Sequence, residues 1–275
     1  MDRLTLPAPA KLNLRLLVGP VRDDGYHPLR SLMVALDGLA DTVRVARADA
    51  RSVSCPGIEG PHNLAWAALD ALEATAGRPL PVAVEIEKSI PAQAGLGGGS
   101  SDAAAVLRAV DRLYGLDLGR ARLEAVAARV GSDVPFFIRG GCQWAEGRGE
   151  ALTPAPPPGF AAVLVRPDGP GLSTGRVYAA FDRVGPPAPA DRSESPAGMP
   201  ALAAWVRNDL WPPALALAPS LGATSRALIA AGARTALLCG SGSCVAGLFD
   251  DRPAAEAGAA RLRGAGPAVV VTPAA

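Results

Sequence analysis

Apolar and polar residues alternate with period two over Leu12–Val18, so Leu12, Leu14, Leu16 and Val18 share one strand face. Lys11, Asn13 and Arg15 fall on the opposite face, and two polar side chains therefore stand side by side at the strand's start. The same alternation predicts strands over Ser31–Leu36 and Asp41–Val45, over residues 82–90, and again over Ala161–Val165. Helical spacing marks Leu64 to about Gly77, with Asn63 as the N-cap. It also marks a helix through Val106, Leu107, Val110, Leu113 and Tyr114, ended by Gly115, and one over 120–130 ended by Gly131. The apolar run Phe136-Phe137-Ile138 reads as a short strand, and residues 201–217 and 219–232 read as helices. Residues 235–249 read as strand, glycine turn and strand. This mixture, with its antiparallel-looking turns, predicts an α+β fold. The proline-rich stretch 153–159 suggests a boundary between domains 1–152 and 153–275, and residues 185–200 read as a mobile loop.

Charge and composition then remove several function classes. The chain has 275 residues, 27 Lys+Arg against 26 Asp+Glu, and a net charge of +1, so it lacks the basic excess of a nucleic-acid binder. At 49% apolar and 19% charged residues it can bury a real core. No apolar run reaches the length of a membrane span, and Asp2, Pro7, Pro9 and Lys11 interrupt any leader-like segment. The four cysteines form no C-x-x-C pair and there are two histidines, which disfavours structural zinc. A cytoplasmic protein, monomer or homodimer, with no membrane or nucleic-acid partner is the expectation. Only two of the 27 cations are lysines, Lys11 and Lys88, so each marks a place where ammonium is preferred to guanidinium.

The chemistry concentrates between residues 90 and 102. Gly95, Gly97, Gly98 and Gly99 stand between a strand and a helix, where glycine amides and the free N–H groups of the first helical turn make an anion site. Ser100, Ser101 and Asp102 are able to cap that helix, and a serine hydroxyl is able to bind phosphate or Mg²⁺. The loop is not a P-loop, since no lysine follows the glycines, nor a dinucleotide fingerprint, since Ser100 stands where the third glycine belongs. The protein-kinase companions H-R-D and D-F-G are absent.

Ile90-Pro-Ala-Gln-Ala-Gly-Leu-Gly-Gly-Gly-Ser-Ser-Asp-Ala-Ala resembles the phosphate loop of the GHMP small-molecule kinases. Ala10-Lys-Leu-Asn-Leu14, the Arg22 to Ser31 segment with Tyr26-His27, Gly131-Ser-Asp133-Val-Pro-Phe136, Gly147-Arg-Gly-Glu150 and Asn208-Asp-Leu210 are similar to the branch that phosphorylates 4-diphosphocytidyl-2-C-methylerythritol. The resemblance runs from about residue 8 to 249 and implies a two-domain kinase with its active site in the cleft between domains. It implies ATP and Mg²⁺ as cofactors and a small cytidyl diphosphate as substrate. Residue by residue, it implies Lys11 and Asp133 as catalytic groups. It implies Asn63, Leu64, Lys88, Pro91, Ala94, Gly95, Leu96, Gly97, Gly98, Gly99, Ser100 and Ser101 at the nucleotide, with Ser101 also at the metal. It implies Asn13, Tyr26, His27, Tyr178, Gly240 and Gly242 at the substrate. Tyr26 and Tyr178 match the aromatic pair that sandwiches cytosine, and His27 matches the residue bonding the cytosine edge. Gly240-Ser-Gly-Ser243 matches the family's third motif, where Cys239 replaces the usual hydroxyl residue. The alternatives are a kinase of another acceptor, such as homoserine or mevalonate, or a module that binds nucleotide without catalysis. The nucleotide-reading residues Tyr26, His27 and Tyr178 speak against the first, and the pair Lys11 and Asp133 against the second.

Overall fold

The computed structural model describes residues 2–169, 171–186, 194–262 and 267–274. They form two compact units that are interleaved along the chain: 1–10, 39–91 and 97–140 in the first, and 11–38, 92–96 and 141–275 in the second. A single cut after residue 152 does not separate them, because the first two long strands and the glycine loop each contribute to both units.

Two strands open the chain, β1 (Arg3–Val18) and β2 (Leu29–Arg47). β2 is one element where the alternation suggested two, because the backbone stays extended through Asp37-Gly38 instead of turning there. Gly38 has φ +97°, and a Cβ on it would stand 2.8 Å from the Val270 carbonyl oxygen, so the strand passes its neighbour only with glycine.

The first unit continues with β3 (Ser52–Ser54), α1 (Leu64–Ala76), β4 (Val82–Glu87), α2 (Gly98–Tyr114), α3 (Gly119–Val130) and α4 (Val134–Arg139). β4 pairs antiparallel with the end of β2, from Thr42 opposite Glu87 to Arg47 opposite Val82, and parallel with β3. Asn63 caps α1 by accepting from the Ala65 N–H, and Gly77 closes it in the left-handed conformation. α2 is the buried helix of this unit: Ala103 to Leu107, Ala109 and Val110 are all inaccessible to solvent. The segment Phe136-Phe137-Ile138, expected as a strand, lies in α4. Val134 to Ile138 are all buried, so the run carries no periodicity to separate helix from strand, and Pro135 in the first turn fits a helix start.

The second unit adds β5 (Cys142–Gly147), β6 (Ala151–Pro154), β7 (Ala161–Val165), α5 (Thr174–Val184), α6 (Met199–Trp205), β8 (Arg207–Asn208), α7 (Trp211–Leu217), α8 (Ser220–Ala230), β9 (Thr235–Leu238), β10 (Val245–Phe249), α9 (Arg252–Arg261) and β11 (Ala268–Pro273). β11, β7, β10 and β9 form an antiparallel sheet in that order. Val163, Val165, Phe181, Leu228, Val245 and Phe249 centre its core. The single helix expected over 201–217 is two, parted by β8, which pairs parallel with β1 with Leu16 opposite Asn208. Of the proline-rich stretch 185–200, residues 187–193 lie outside the described residues, and α6 begins inside its end.

Candidate active site

Lys11 stands on the buried polar face of β1, 4% exposed, with its ammonium donating to Asn13 Oδ1. Asn13 passes the arrangement on, its Nδ2 donating to Ser31 Oγ at 2.8 Å. Three buried polar side chains thus form a chain in which each orients the next.

The glycine-loop segment 92–96 and the Gly240–Ser243 turn meet this chain in the second unit. The Lys11 backbone N–H donates to the Leu96 carbonyl at 3.0 Å. Ser243 and Cys244 N–H groups donate to the Gln93 and Ala94 carbonyls at 3.0 and 3.1 Å, and Gly242 N–H closes the turn on the Cys239 carbonyl at 2.7 Å. These contacts require glycine. A Cβ on Gly95 would stand 1.8 Å from the Cys239 carbonyl oxygen, and one on Gly240 would meet the Gly95 oxygen at 2.9 Å and Lys11 Nζ at 3.2 Å. The three motifs singled out in the sequence therefore converge: Lys11 and Asn13, Ala94 to Leu96, and Gly240 with Gly242. Cys239 is fully buried and burial pushes its thiol well above its ordinary pKa, so it contributes backbone and no reactive group.

We expect Gly95→Ala to destabilise the protein by about 3 kcal/mol, since a left-handed backbone and an overpacked contact add. Urea unfolding measures this, and a loss below about 1 kcal/mol would mean that the turn yields freely.

In the first unit the loop becomes helix. Gly97 is the N-cap of α2 in the left-handed conformation, φ +75°, with no side-chain cap, so Ser100, Ser101 and Asp102 lie inside the first turns and do not cap them as expected. The amides there are left free of side-chain capping, as an anion site needs. Ser101 is 1% exposed and its Oγ has no partner among the described residues. Leu64 reaches the same turn, its Cδ1 3.9 Å from where a Gly99 Cβ would be. Asn63 beside it is committed to its neighbours, Oδ1 capping α1 and Nδ2 donating to the Ile58 carbonyl at 3.2 Å.

Lys88 does something the sequence did not suggest. Its ammonium donates to Asp41 Oδ2 at 2.5 Å and to Asp102 Oδ2 at 2.6 Å, and lies 3.2 Å from where a Gly98 Cβ would stand. Asp41, wholly buried, also accepts from the Ser89 and Ile90 N–H groups at 2.6 and 2.7 Å. Burial alone would lower the Lys88 pKa, but Asp102 and Asp41 outweigh it and the group is raised. Burial pushes Asp102 up to about 7, opposed by Lys88 and helped by Asp41. Lys88 is a tie between the strand that enters the loop and the helix that leaves it; its charge is spent on two carboxylates. Pro91, four residues past the end of β4, is the last residue of that segment of the first unit.

Asp133 directly precedes α4 and its side chain does not cap the helix.

The expected base-reading residues gather only in part. His27 packs beside Tyr178, ring centroids 5.1 Å apart, and edge-on to Phe181 at 5.5 Å. Its Nδ1 lies 2.9 Å from the Gly19 carbonyl oxygen and its Nε2 3.1 Å from Asp182 Oδ1. Both ring nitrogens thus face protein acceptors, which fix the orientation of the imidazole. Tyr26 is 51% exposed, and its ring lies under the Arg148 guanidinium at 4.9 Å. Sequence reading missed Asp41, Asp182 and Arg148 as neighbours of these residues and gave Ser31 and Asn208 no role. Asp41 alone carried a signal: it falls in phase with buried Leu39, Val43 and Val45.

Comparison with known proteins identifies the family. Residues 63–141 match the family model for the GHMP kinases N terminal domain, and 199–268 the one for GHMP kinases C terminal. The 4-diphosphocytidyl-2-C-methyl-D-erythritol kinase of Anaeromyxobacter dehalogenans strain 2CP-C is 46% identical, over 95% of this chain and 86% of its own length. That of Geobacter sp. strain M21 is 43% identical, over 95% of each. A crystal structure of 4-(cytidine 5'-diphospho)-2C-methyl-D-erythritol kinase superposes with a TM-score of 0.80 at 36% identity, covering 98% of this chain and all of the other. Homoserine kinase from Cytophaga hutchinsonii, 17% identical with a TM-score of 0.74, shares the fold. The chain belongs to the 4-diphosphocytidyl-2-C-methyl-D-erythritol kinase family of GHMP kinases.

Proposed function

We propose that the chain transfers the γ-phosphoryl group of ATP to the 2-hydroxyl of 4-diphosphocytidyl-2-C-methylerythritol, a step toward isoprenoid precursors. The convergence of Lys11, the 92–96 loop segment and the Gly240–Ser243 turn supports this reading most directly. Such transfer needs little covalent help from a protein, so positioning and charge carry it. Asp133 accepts the proton of the substrate hydroxyl as its oxygen attacks phosphorus. Lys11, held by Asn13, offsets charge building on the transferring group. The uncapped amides at the start of α2 hold the nucleotide phosphates, with Leu64 alongside, and Asn13, Tyr26, His27 and Tyr178 hold the cytidyl substrate. The partnerless Ser101 hydroxyl fits a ligand of Mg²⁺, which when bound neutralises phosphate charge.

The test offers three acceptors with Mg-ATP. ADP release is expected with the cytidyl diphosphate and not with homoserine or mevalonate. No release with the cytidyl compound would sink the assignment, and release with homoserine or mevalonate alone would replace it.

A further inference from the structure

Asn208 lies outside every contact proposed above for ATP or substrate, yet its side chain spends both N–H donors on the backbone that leads into the Gly240 turn. It is 7% exposed. Its Nδ2 donates to two carbonyl oxygens, Leu238 at 2.9 Å and Gly240 at 2.7 Å, and its Oδ1 accepts from the Leu210 N–H at 2.9 Å. An amide NH₂ has two donors, so one side chain holds both the end of β9 and the first glycine of the turn. The residue is itself fixed to the strand that carries Lys11. Asn208 pairs with Leu16 in the β1–β8 ladder, the Asp209 N–H donates to the Leu16 carbonyl at 2.9 Å, and Asp209 Oδ2 accepts from the Val18 N–H at 3.0 Å.

We infer that Asn208 is a positioning residue for phosphoryl transfer: a two-pronged clamp that sets the distance of the Gly240 turn from Lys11 and from the 92–96 loop segment. The inference rests on the proposed reaction. Tolerances at the turn are small, because Gly240 leaves a Cβ-sized space of 3.2 Å to Lys11 Nζ and 2.9 Å to the Gly95 oxygen. A turn that drifts outward withdraws the ammonium's neighbour and loosens the Ser243 and Cys244 bonds to the loop. An ångström of misplacement remote from the chemistry is enough to cost about 10²-fold in rate.

Two variants separate this clamp from a plain turn role. Asn208→Asp keeps the shape and the acceptor for the Leu210 N–H but aims a carboxylate at two carbonyl oxygens. Asn208→Ala removes both functions, and a cavity of about 320 Å³ lined by Arg207, Asn208, Trp211 and Leu237 lets water reach the freed carbonyls. The expected result is a kcat about 10- to 10²-fold lower in Asn208→Ala and lower still in Asn208→Asp, with KM for ATP changed less than kcat. A turn role alone predicts the reverse order, with Asn208→Asp near wild type. Amide hydrogen exchange provides a readout independent of the acceptor. Gly242, Ser243 and Cys244 should exchange faster in Asn208→Asp while the α2 amides keep their protection. Unchanged exchange at those three amides overturns the clamp, even if wild-type protein proves to use another acceptor. Wild-type inactivity on the cytidyl substrate, with exchange accelerated as expected, overturns the proposed reaction and leaves the clamp standing.

Discussion

Asp133→Asn is expected to lower kcat by about 10² to 10⁴, the range for loss of a general base. Its melting temperature should stay near that of the wild type. The second half follows from local geometry. Asp133 sits at φ −86°, ψ −10°, inside the turn closed by the backbone bond from Val134 N–H to the Gly131 carbonyl at 3.2 Å, a conformation asparagine adopts equally, and its carboxylate does not cap α4. Pro135 and the buried Val134, Phe136 and Phe137 anchor the helix start. Asparagine preserves the shape and removes the basicity. Steady-state kinetics beside a thermal melt make the test, and KM for ATP should change little because the carboxylate acts on the acceptor. An unchanged kcat removes Asp133 from the reaction; a matched fall in kcat and melting temperature would make it a structural residue instead.

What the sequence disclosed and what it withheld have physical reasons. Motif residues were legible because their chemistry forces composition. A backbone that must approach another to within a missing Cβ admits glycine alone, so Gly95 and Gly240 stand out in any reading. Long amphipathic helices such as α2, with Gly115 at its end, were equally plain, although its N-cap proved to be Gly97 and not a serine or Asp102. β2 was read as two strands because the alternation lapses between Leu36 and Asp41, and only the neighbouring Val270 explains the glycine at 38. α4 was mistaken for a strand because a segment buried on all sides has no polar face to give it a period. The support shell was hidden for a different reason. Lys88 looked like a nucleotide contact until Asp41, 47 residues earlier, and Asp102 were seen to take its charge. The acceptors that hold the His27 ring, Gly19 and Asp182, were hidden in the same way. Partners so distant along the chain leave no spacing to read.

Lys11→Arg is expected to cut kcat by about 10²- to 10³-fold, despite keeping the charge and despite a chain that otherwise uses arginine almost throughout. The reason is space. Both lysine ammoniums lie 3.2 Å from the Cβ that a glycine lacks, Lys11 at Gly240 and Lys88 at Gly98. A compact ammonium fits there. A planar guanidinium, wider and with five donors in a fixed fork, cannot enter without displacing the Gly240 turn or breaking the Asn13 contact. Lys11→Met should lose about as much, because in the arginine variant the charge is present but in the wrong place. An exposed pair provides the control: Arg252→Lys, in the surface contact with Glu256, should leave kcat unchanged. Kinetics of the three variants decide the matter. If Lys11→Arg keeps activity within about threefold of wild type while Lys11→Met is dead, charge alone is what the site needs and the spatial argument fails. If both variants fall together, Lys11 stands in this arginine-rich chain because glycine and ammonium share one small volume there.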